Sequence, residues 1–511
     1  MHESNERKWG VVLSYVSIIM NTLIQLLYTP LLIKKLGQSE YGLYSLVASI
    51  IGYLTIMDFG FGNAIVVYTA KYRAQGKSKE EKKLHGMFNL VFKIIGVIAA
   101  LLGIILYFNV ENIFGAKMTD VEVYKMQIMM LILSFNLFIT FNFAIYNSII
   151  SAYEKFTFQK IISIIHSLLK PLLMIPLLFL GYKSISLCLI ITFTNIIALL
   201  SNYFYCRKEL NISIKFLGFD KKIFKTIISY SIWIFLGVIV DKVNYSVDQI
   251  VLGAVSGTIA VSIYSVATTF NTVFINISTA ISGVMLPKMT KLVATNATPN
   301  DLTNEMIKVG RLQNYIIFLA CSGFILFGRN FIISWVGEEY TTSYYVTLLL
   351  IVPACVPLIQ NTALSIMQAM NKYKFKSIST SIMAIFNIII SIFLAKLWGP
   401  VGAALGTCIA LVICNIILIN LYYIKNMKLQ ICRFWKEIIK QSIPFIIPIV
   451  SILIITYYTE FTGFKAFILY GGIYSILYFI VVYFLSMNEY EKKLVSKFIN
   501  KMTMIKWGNK K

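Results

Sequence analysis

The chain has 511 residues, of which 58% are hydrophobic and 13% charged. Soluble chains carry about 25% charged residues, so this composition excludes a water-soluble globular protein and places the chain in a bilayer. The formal net charge of +24, from 46 basic and 22 acidic residues, reads as membrane topology rather than nucleic-acid binding, because basic residues collect in cytoplasmic loops.

Apolar runs of about 20 residues, long enough to span the hydrocarbon core as helices, recur from end to end. Fourteen are expected, near 10–33, 41–70, 84–108, 125–150, 160–181, 184–205, 226–253, 259–286, 312–335, 345–370, 377–397, 400–424, 441–459 and 466–486. The second is interrupted by Asp58 and by Gly52, Gly60 and Gly62. The longest polar stretches, Lys71–Lys83 and Pro287–Gln313, are loop-sized, so no soluble domain is expected. Most lysines and arginines fall at the N-terminus and in every second loop. That alternation puts both termini in the cytoplasm. The first apolar run continues as a full helix, so no cleaved signal is expected. The seven cysteines form no C-x-x-C pair, and the three histidines belong to no H-E-x-x-H motif. No Walker-type loop is present either, which leaves neither a metal site, a disulfide framework nor an enzymatic centre to expect.

One pattern occurs twice. SIISAYEKFTF at Ser148–Phe158 returns as SIMQAMNKYKF at Ser365–Phe375, after the fourth and tenth helices. Gly37 is echoed by Gly257, Tyr44-Ser45 by Tyr264-Ser265, and Cys188 and Asn195 by Cys408 and Asn415. Six helices separate the copies, and an even number restores orientation, so the halves are expected to be parallel repeats. The expected fold is an all-α polytopic membrane protein. Two six-helix bundles, 1–208 and 209–425, surround a central cavity, and 426–511 adds two helices and a basic cytoplasmic tail. Such bundles rock to expose a midplane site to each side in turn.

Ionisable residues inside spans are costly, so each is a functional candidate. Lys170 lies near the centre of helix five, with His166 one turn earlier on the same face and Pro171 and Pro176 after it. Lys170 is expected either to bind an anionic head group in the cavity or to pair with an aspartate. His166 is a cavity ligand or a satisfied interior group. Lys93, in helix three, is a further substrate-binding candidate or a side chain snorkelling to the interface. Helix seven carries Asp241, Lys242 and Asp248. Asp241 and Asp248 are two turns apart and share a face, while Lys242 diverges from Asp241. The aspartates are candidates for Na⁺ or proton coupling, or for interhelical pairing such as Asp241 with Lys170. Asp58, in DFGFG, suggests a broken helix, tolerated where it is buried or lines a cavity.

DFGFGNAIVVYTAKYRA at 58–74, DQIVLGAVSGTIAVSIYSVA at 248–267, LPK at 286–288 and GPVGAALGT at 399–407 resemble the bacterial polysaccharide flippases of O-antigen type. These belong to the multidrug/oligosaccharidyl-lipid/polysaccharide exporter superfamily. The resemblance runs through most of the chain and implies a flippase, not an enzyme, that needs no cofactor beyond a coupling ion. It implies a substrate, an oligosaccharide on a polyprenyl pyrophosphate, moved from the inner to the outer leaflet of the bacterial cell membrane. It implies a cationic cavity lining, for which Lys170 is this chain's candidate, and allows a polysaccharide polymerase and glycosyltransferases as partners. Relatives that handle the peptidoglycan precursor use arginines in the cavity; here the expected spans contain essentially none, and of the arginines only Arg329 lies near a helix end, a departure that argues against a peptidoglycan-precursor substrate. The competing readings are a multidrug antiporter of the same superfamily and a non-transporting scaffold for glycan assembly.

Overall fold

The computed structural model describes residues 2–282, 285–458 and 463–496. Every element among them is helical. In chain order they are α1 (His2–Leu36), α2 (Gln38–Leu54), α3 (Phe61–Ala74), α4 (Ser78–Phe114), α5 (Asp120–Ala152), α6 (Phe156–Phe179), α7 (Ser184–Lys208), α8 (Lys221–Val255) and α9 (Thr258–Ser282). There follow α10 (Leu286–Ala294), α11 (Pro299–Val336), α12 (Thr341–Ile359), α13 (Asn361–Ala369), α14 (Tyr373–Leu411), α15 (Ile419–Lys425), α16 (Ile431–Ser442), α17 (Ile446–Tyr458) and α18 (Gly463–Val481).

Among the described residues, 12 helical stretches are long and apolar enough to cross a membrane. The difference from fourteen has two sources. The stretch Tyr373–Lys425 counts once, yet α14 turns at Trp398 (φ −128°, ψ 15°) and Gly399 (φ 54°, ψ −131°). It therefore supplies two legs, as the sequence led us to expect. α8, 35 residues long, is the other span. Hydropathy misjudged some helix starts. α4 and α11 begin at Ser78 and Pro299, well before the apolar windows at 84 and 312. Their first turns are polar, and α11 opens with a reciprocal Thr298–Asp301 capping box, which satisfies amides that the missing turn would otherwise bond. Part of the Pro287–Gln313 loop is thus helix, as is the short amphipathic α16. Pro171 and Pro176 do not break α6.

The chain packs as two compact units. The first runs to Ser265 and includes Ala384–Gly406; the second comprises Val266–Met383 and the chain from Thr407. α8 and the start of α9, which open the second sequence repeat, belong to the first unit. There α8 lies against α2, α3 and α4. Its N-cap, Asp220, accepts from the amides of Lys222 (3.0 Å) and Ile223 (3.1 Å) and pairs with Lys83 of α4 at 3.0 Å. The Ile223 amide, then Lys83, holds this carboxyl below its usual range.

Within the first unit, van der Waals packing sets helix distances, as it must where lipid offers no hydrophobic contrast. A methyl on Gly103 of α4 would collide with Ser134 of α5, and one on Gly96 would lie 3.2 Å from the Phe138 carbonyl oxygen. Gly402 and Gly406 likewise let the second leg of α14 close on Leu394 and Ser391 of the first. In the second unit, Tyr315, Phe327, Phe445, Tyr474 and Tyr478 form an aromatic cluster that seats α17 and α18 on α11. Arg311 of α11 donates from Nε to Glu491 at 2.6 Å, and the Tyr315 hydroxyl donates to the same carboxylate at 2.9 Å.

The repeat is visible in the backbone. Gly37 (φ 87°) precedes α2 and Gly257 (φ 82°) precedes α9; left-handed backbone at this corner is what glycine permits. In the two copies of the SI motif, Glu154 (φ 56°) and Asn371 (φ 55°) make the same turn. The Lys155 amide donates to Ile150, and the Lys372 amide to Met367. Phe158 stacks on Tyr205 at 3.8 Å, and Phe375 on Tyr422 at 4.0 Å.

Candidate functional site

The break in the second span builds the site. α2 ends at Leu54, a 3-10 turn covers Thr55–Asp58, and Phe59 (φ 52°) and Gly60 (φ 72°) are left-handed before α3 begins. Asp58 is thereby placed against the first turn of α3, where the Gly62 amide donates to its carboxylate. A helix N-terminus is electrostatically suited to an acid. A methyl on Gly62 would meet Ser148 and Asp58 at ordinary contact distance, 3.4 and 3.5 Å, so Gly62 lies directly between them.

Asp58 and Gly62 line a cavity of about 420 Å³ inside the first unit. α5 contributes Thr140, Asn147 and Ser148; α6 contributes Gln159, Ser163 and His166; α7 contributes Asn195 and Asn202. Gln159, Ser163 and His166 recur at helical spacing, so one face of α6 looks into the cavity. Asn195 Nδ2 donates to Asn136 Oδ1 (2.6 Å) and Thr140 Oγ1 (2.8 Å). Gln159 Nε2 donates to the backbone oxygen and Oδ1 of Asn147 (both 2.9 Å) and to Ser151 Oγ (2.7 Å). His166 Nε2 and Asn202 Oδ1 are buried without a hydrogen-bond partner. Buried polar atoms are nearly always satisfied, so these two mark where a bound polar molecule would engage. The lining holds one carboxylate, one imidazole, several carboxamides and hydroxyls, and neither Lys nor Arg. Such groups both donate to and accept from hydroxyls.

The expected site residues are dispersed. Asp58 and His166 share this cavity. Lys170, one turn beyond His166, is half-buried, lies outside the lining, and forms no ion pair among the described residues. Lys93 is exposed on the strip of α4 that bears Leu90, Ile94 and Val97, themselves 39%, 51% and 48% exposed. Asp248 is 1% exposed and accepts from the Tyr264 hydroxyl. Beside it, Ser49 bonds Gln249, whose Nε2 donates to Ser265 at 3.1 Å. This polar layer ties α2, α8 and α9. The side chains of Asp241 and Lys242 lie outside the described residues. The carboxamides Asn147, Gln159, Asn195 and Asn202 of the lining are not among the sequence candidates. A signal exists: Asn195 and Asn202 are two turns apart on one face of a largely apolar membrane helix, a polar stripe that faces a cavity or a partner. No group of His, Cys, Asp and Glu able to hold a metal occurs among the described residues.

The polysaccharide biosynthesis protein family matches residues 8–293. A Shigella flexneri protein provisionally assigned as an O-antigen transporter is 21% identical over 412 residues, 78% of this chain and 94% of that protein. Among solved structures, the lipid II flippase MurJ in an inward closed conformation is similar with a TM-score of 0.70 at 20% identity, over 92% of this chain and 97% of that one. A MATE-family multidrug transporter of the MOP superfamily, inward-facing, gives a TM-score of 0.57 at 13% identity, over 77% and 96%. These likenesses establish the fold that MurJ and the MATE transporters share, and the relatives are transporters and flippases, not enzymes. The family match spans more than half of the chain and every residue of the Asp58 cavity: the chain belongs to the polysaccharide biosynthesis protein family.

Proposed function

We propose that the protein moves an oligosaccharide linked to polyprenyl pyrophosphate from the inner to the outer leaflet of the bacterial cell membrane, with both termini cytoplasmic. The observation that carries this reading is the cavity of carboxamides, hydroxyls, Asp58 and His166 inside a membrane-spanning unit. Neutral donor–acceptor groups of this kind match sugar hydroxyls, with a carboxylate and an imidazole to take the strongest bonds. Membership of the polysaccharide biosynthesis family and likeness to the O-antigen transporter favour a glycan cargo. The Asp58 cavity has no cationic lining, so the charged oxygens of the pyrophosphate are assigned to cations outside it, with Lys170 and Lys242 as the candidates. Lys93, on an exposed apolar strip, is a weaker one. Asp241 and Asp248 remain the candidates for Na⁺ or proton coupling. The two bundles of the sequence repeat would alternate access by rocking.

Deletion of the gene, with surface polysaccharide and polyprenyl-linked oligosaccharide assayed in separated leaflets, tests the proposal. Lost surface glycan with precursor trapped in the inner leaflet is the expected result. The MATE-like fold supports a second reading, a cation-coupled multidrug antiporter. Intact glycan together with lost drug export in the deletion strain would favour it.

A further inference from the structure

The DFGFG turn has two faces. Asp58 and Gly62 look into the polar cavity, together with Phe92 of α4. Phe59 and Phe61 look the other way, into a groove of about 270 Å³ that Val91 and Ile95 of α4 and Ile228, Ser231, Ile232 and Phe235 of α8 complete. One turn and one helix therefore form the wall between a polar and an apolar compartment of the same unit. The Phe59 and Phe235 rings meet at 4.7 Å across the groove. Ile228 and Ile232, 39% and 41% exposed, leave its mouth open. Ser231 is the one polar side chain of its lining; it is 1% exposed, and its hydroxyl has no hydrogen-bond partner.

We infer that this groove holds the first isoprene units of the substrate's polyprenyl chain while the sugars occupy the Asp58 cavity. The inference rests on the flippase reading and adds a tail site to it. A lipid-linked sugar needs adjoining compartments of opposite polarity, and the Asp58–Gly62 turn is where they adjoin. The planar, methyl-branched isoprene unit fits between phenyl rings and β-branched side chains, which offer flat faces and shallow methyl pockets. The phosphate-ester oxygen at the head of the chain accepts from Ser231, satisfying a hydroxyl that is costly to bury alone. The groove's volume accommodates only the start of a long chain; the remainder lies in the bilayer.

The test uses the full-length protein in nanodiscs and measures binding of undecaprenyl pyrophosphate, with phosphatidylglycerol as competitor. Ile232→Trp and Ile95→Trp fill the groove and are expected to weaken binding about tenfold. Ser231→Ala, which leaves the packing intact, is expected to weaken it about threefold. Ile447→Trp, on an exposed face of α17, is the control and binds as wild type. An unchanged unfolding midpoint certifies each variant, and Ser231→Ala carries the test if the tryptophan variants fail to fold. Undiminished binding in folded groove variants overturns the inference alone. So does displacement of the ligand by equimolar phosphatidylglycerol, which would make the groove an ordinary lipid site. A wild-type protein that does not bind undecaprenyl pyrophosphate overturns the flippase reading and this inference with it.

Discussion

The two copies of the SI motif fold alike and are lined differently. Both turn on a left-handed residue, Glu154 or Asn371, and both hold a phenylalanine flat against a tyrosine. At the motif's own offset, however, which also relates the stacked Tyr205 to Tyr422 and is three residues shorter than the Asn195-to-Asn415 echo, Asn147 corresponds to Leu364, His166 to Met383 and Asn202 to Ile419. In the first unit the polar members line a cavity. In the second, Met383 and Ile419 are buried in apolar clusters. The comparison separates scaffold from chemistry. A few backbone signals repeat the scaffold, and a handful of side chains decide which copy holds a polar site.

Exchange of those side chains should break the comparison most strongly. His166→Met with Asn202→Ile gives the first unit the lining of the second. Glycan transport in a complemented deletion strain should fall to background with protein still in the membrane, whereas Met383→Ala should leave at least half of it. Lys170→Ala should likewise abolish transport without loss of protein. Normal transport by that variant would remove Lys170 from the account. A structural lesion comes next in size. Gly103→Leu overpacks α4 against Ser134 and should cost roughly 1–3 kcal/mol, read as a lower unfolding temperature in detergent.

The repeated stacks sharpen the comparison further. Phe158→Leu and Phe375→Leu each remove an aromatic pair worth about 0.5–1.5 kcal/mol, so their stability losses should be similar. Only Phe158→Leu, beside Gln159 of the cavity, should also slow transport. The smallest effect is electrostatic. Asp220 is held below the ordinary carboxylate range by the Ile223 amide and Lys83. A depressed folded pKa stabilises above the unfolded value, and that contribution is lost as pH falls through the folded one. Asp220→Asn should therefore flatten the acid limb of an unfolding-temperature profile, and the difference should shrink at high salt because the pair is partly open to solvent.

Much of this was legible in the sequence. Spans follow from hydropathy, and the parallel corners at Gly37 and Gly257 from a glycine echo. The break after Asp58 follows from glycines flanking an acid in an apolar run. Other features were not legible, for physical reasons. Hydropathy cannot see polar helical turns, so α4 and α11 begin earlier than their apolar runs indicate. A single lysine does not reveal its helical face, so the sequence leaves Lys93 open between a cavity role and snorkelling; its exposed neighbours Leu90, Ile94 and Val97 favour the second. Asn147, Gln159 and Asn202 come from three helices, and only packing brings them together. The sequence repeat also does not state which neighbours α8 takes, and it packs against α2, α3 and α4.

The most direct measurement reconstitutes the purified protein in liposomes with a fluorescent polyprenyl-pyrophosphate oligosaccharide confined to one leaflet. Its appearance in the other leaflet is followed for wild type and for the His166→Met, Asn202→Ile variant. Rapid equilibration by wild type and none by the variant is the result predicted here. Substrate that stays in its original leaflet with wild-type protein, under an imposed Na⁺ or proton gradient and without one, would contradict the account.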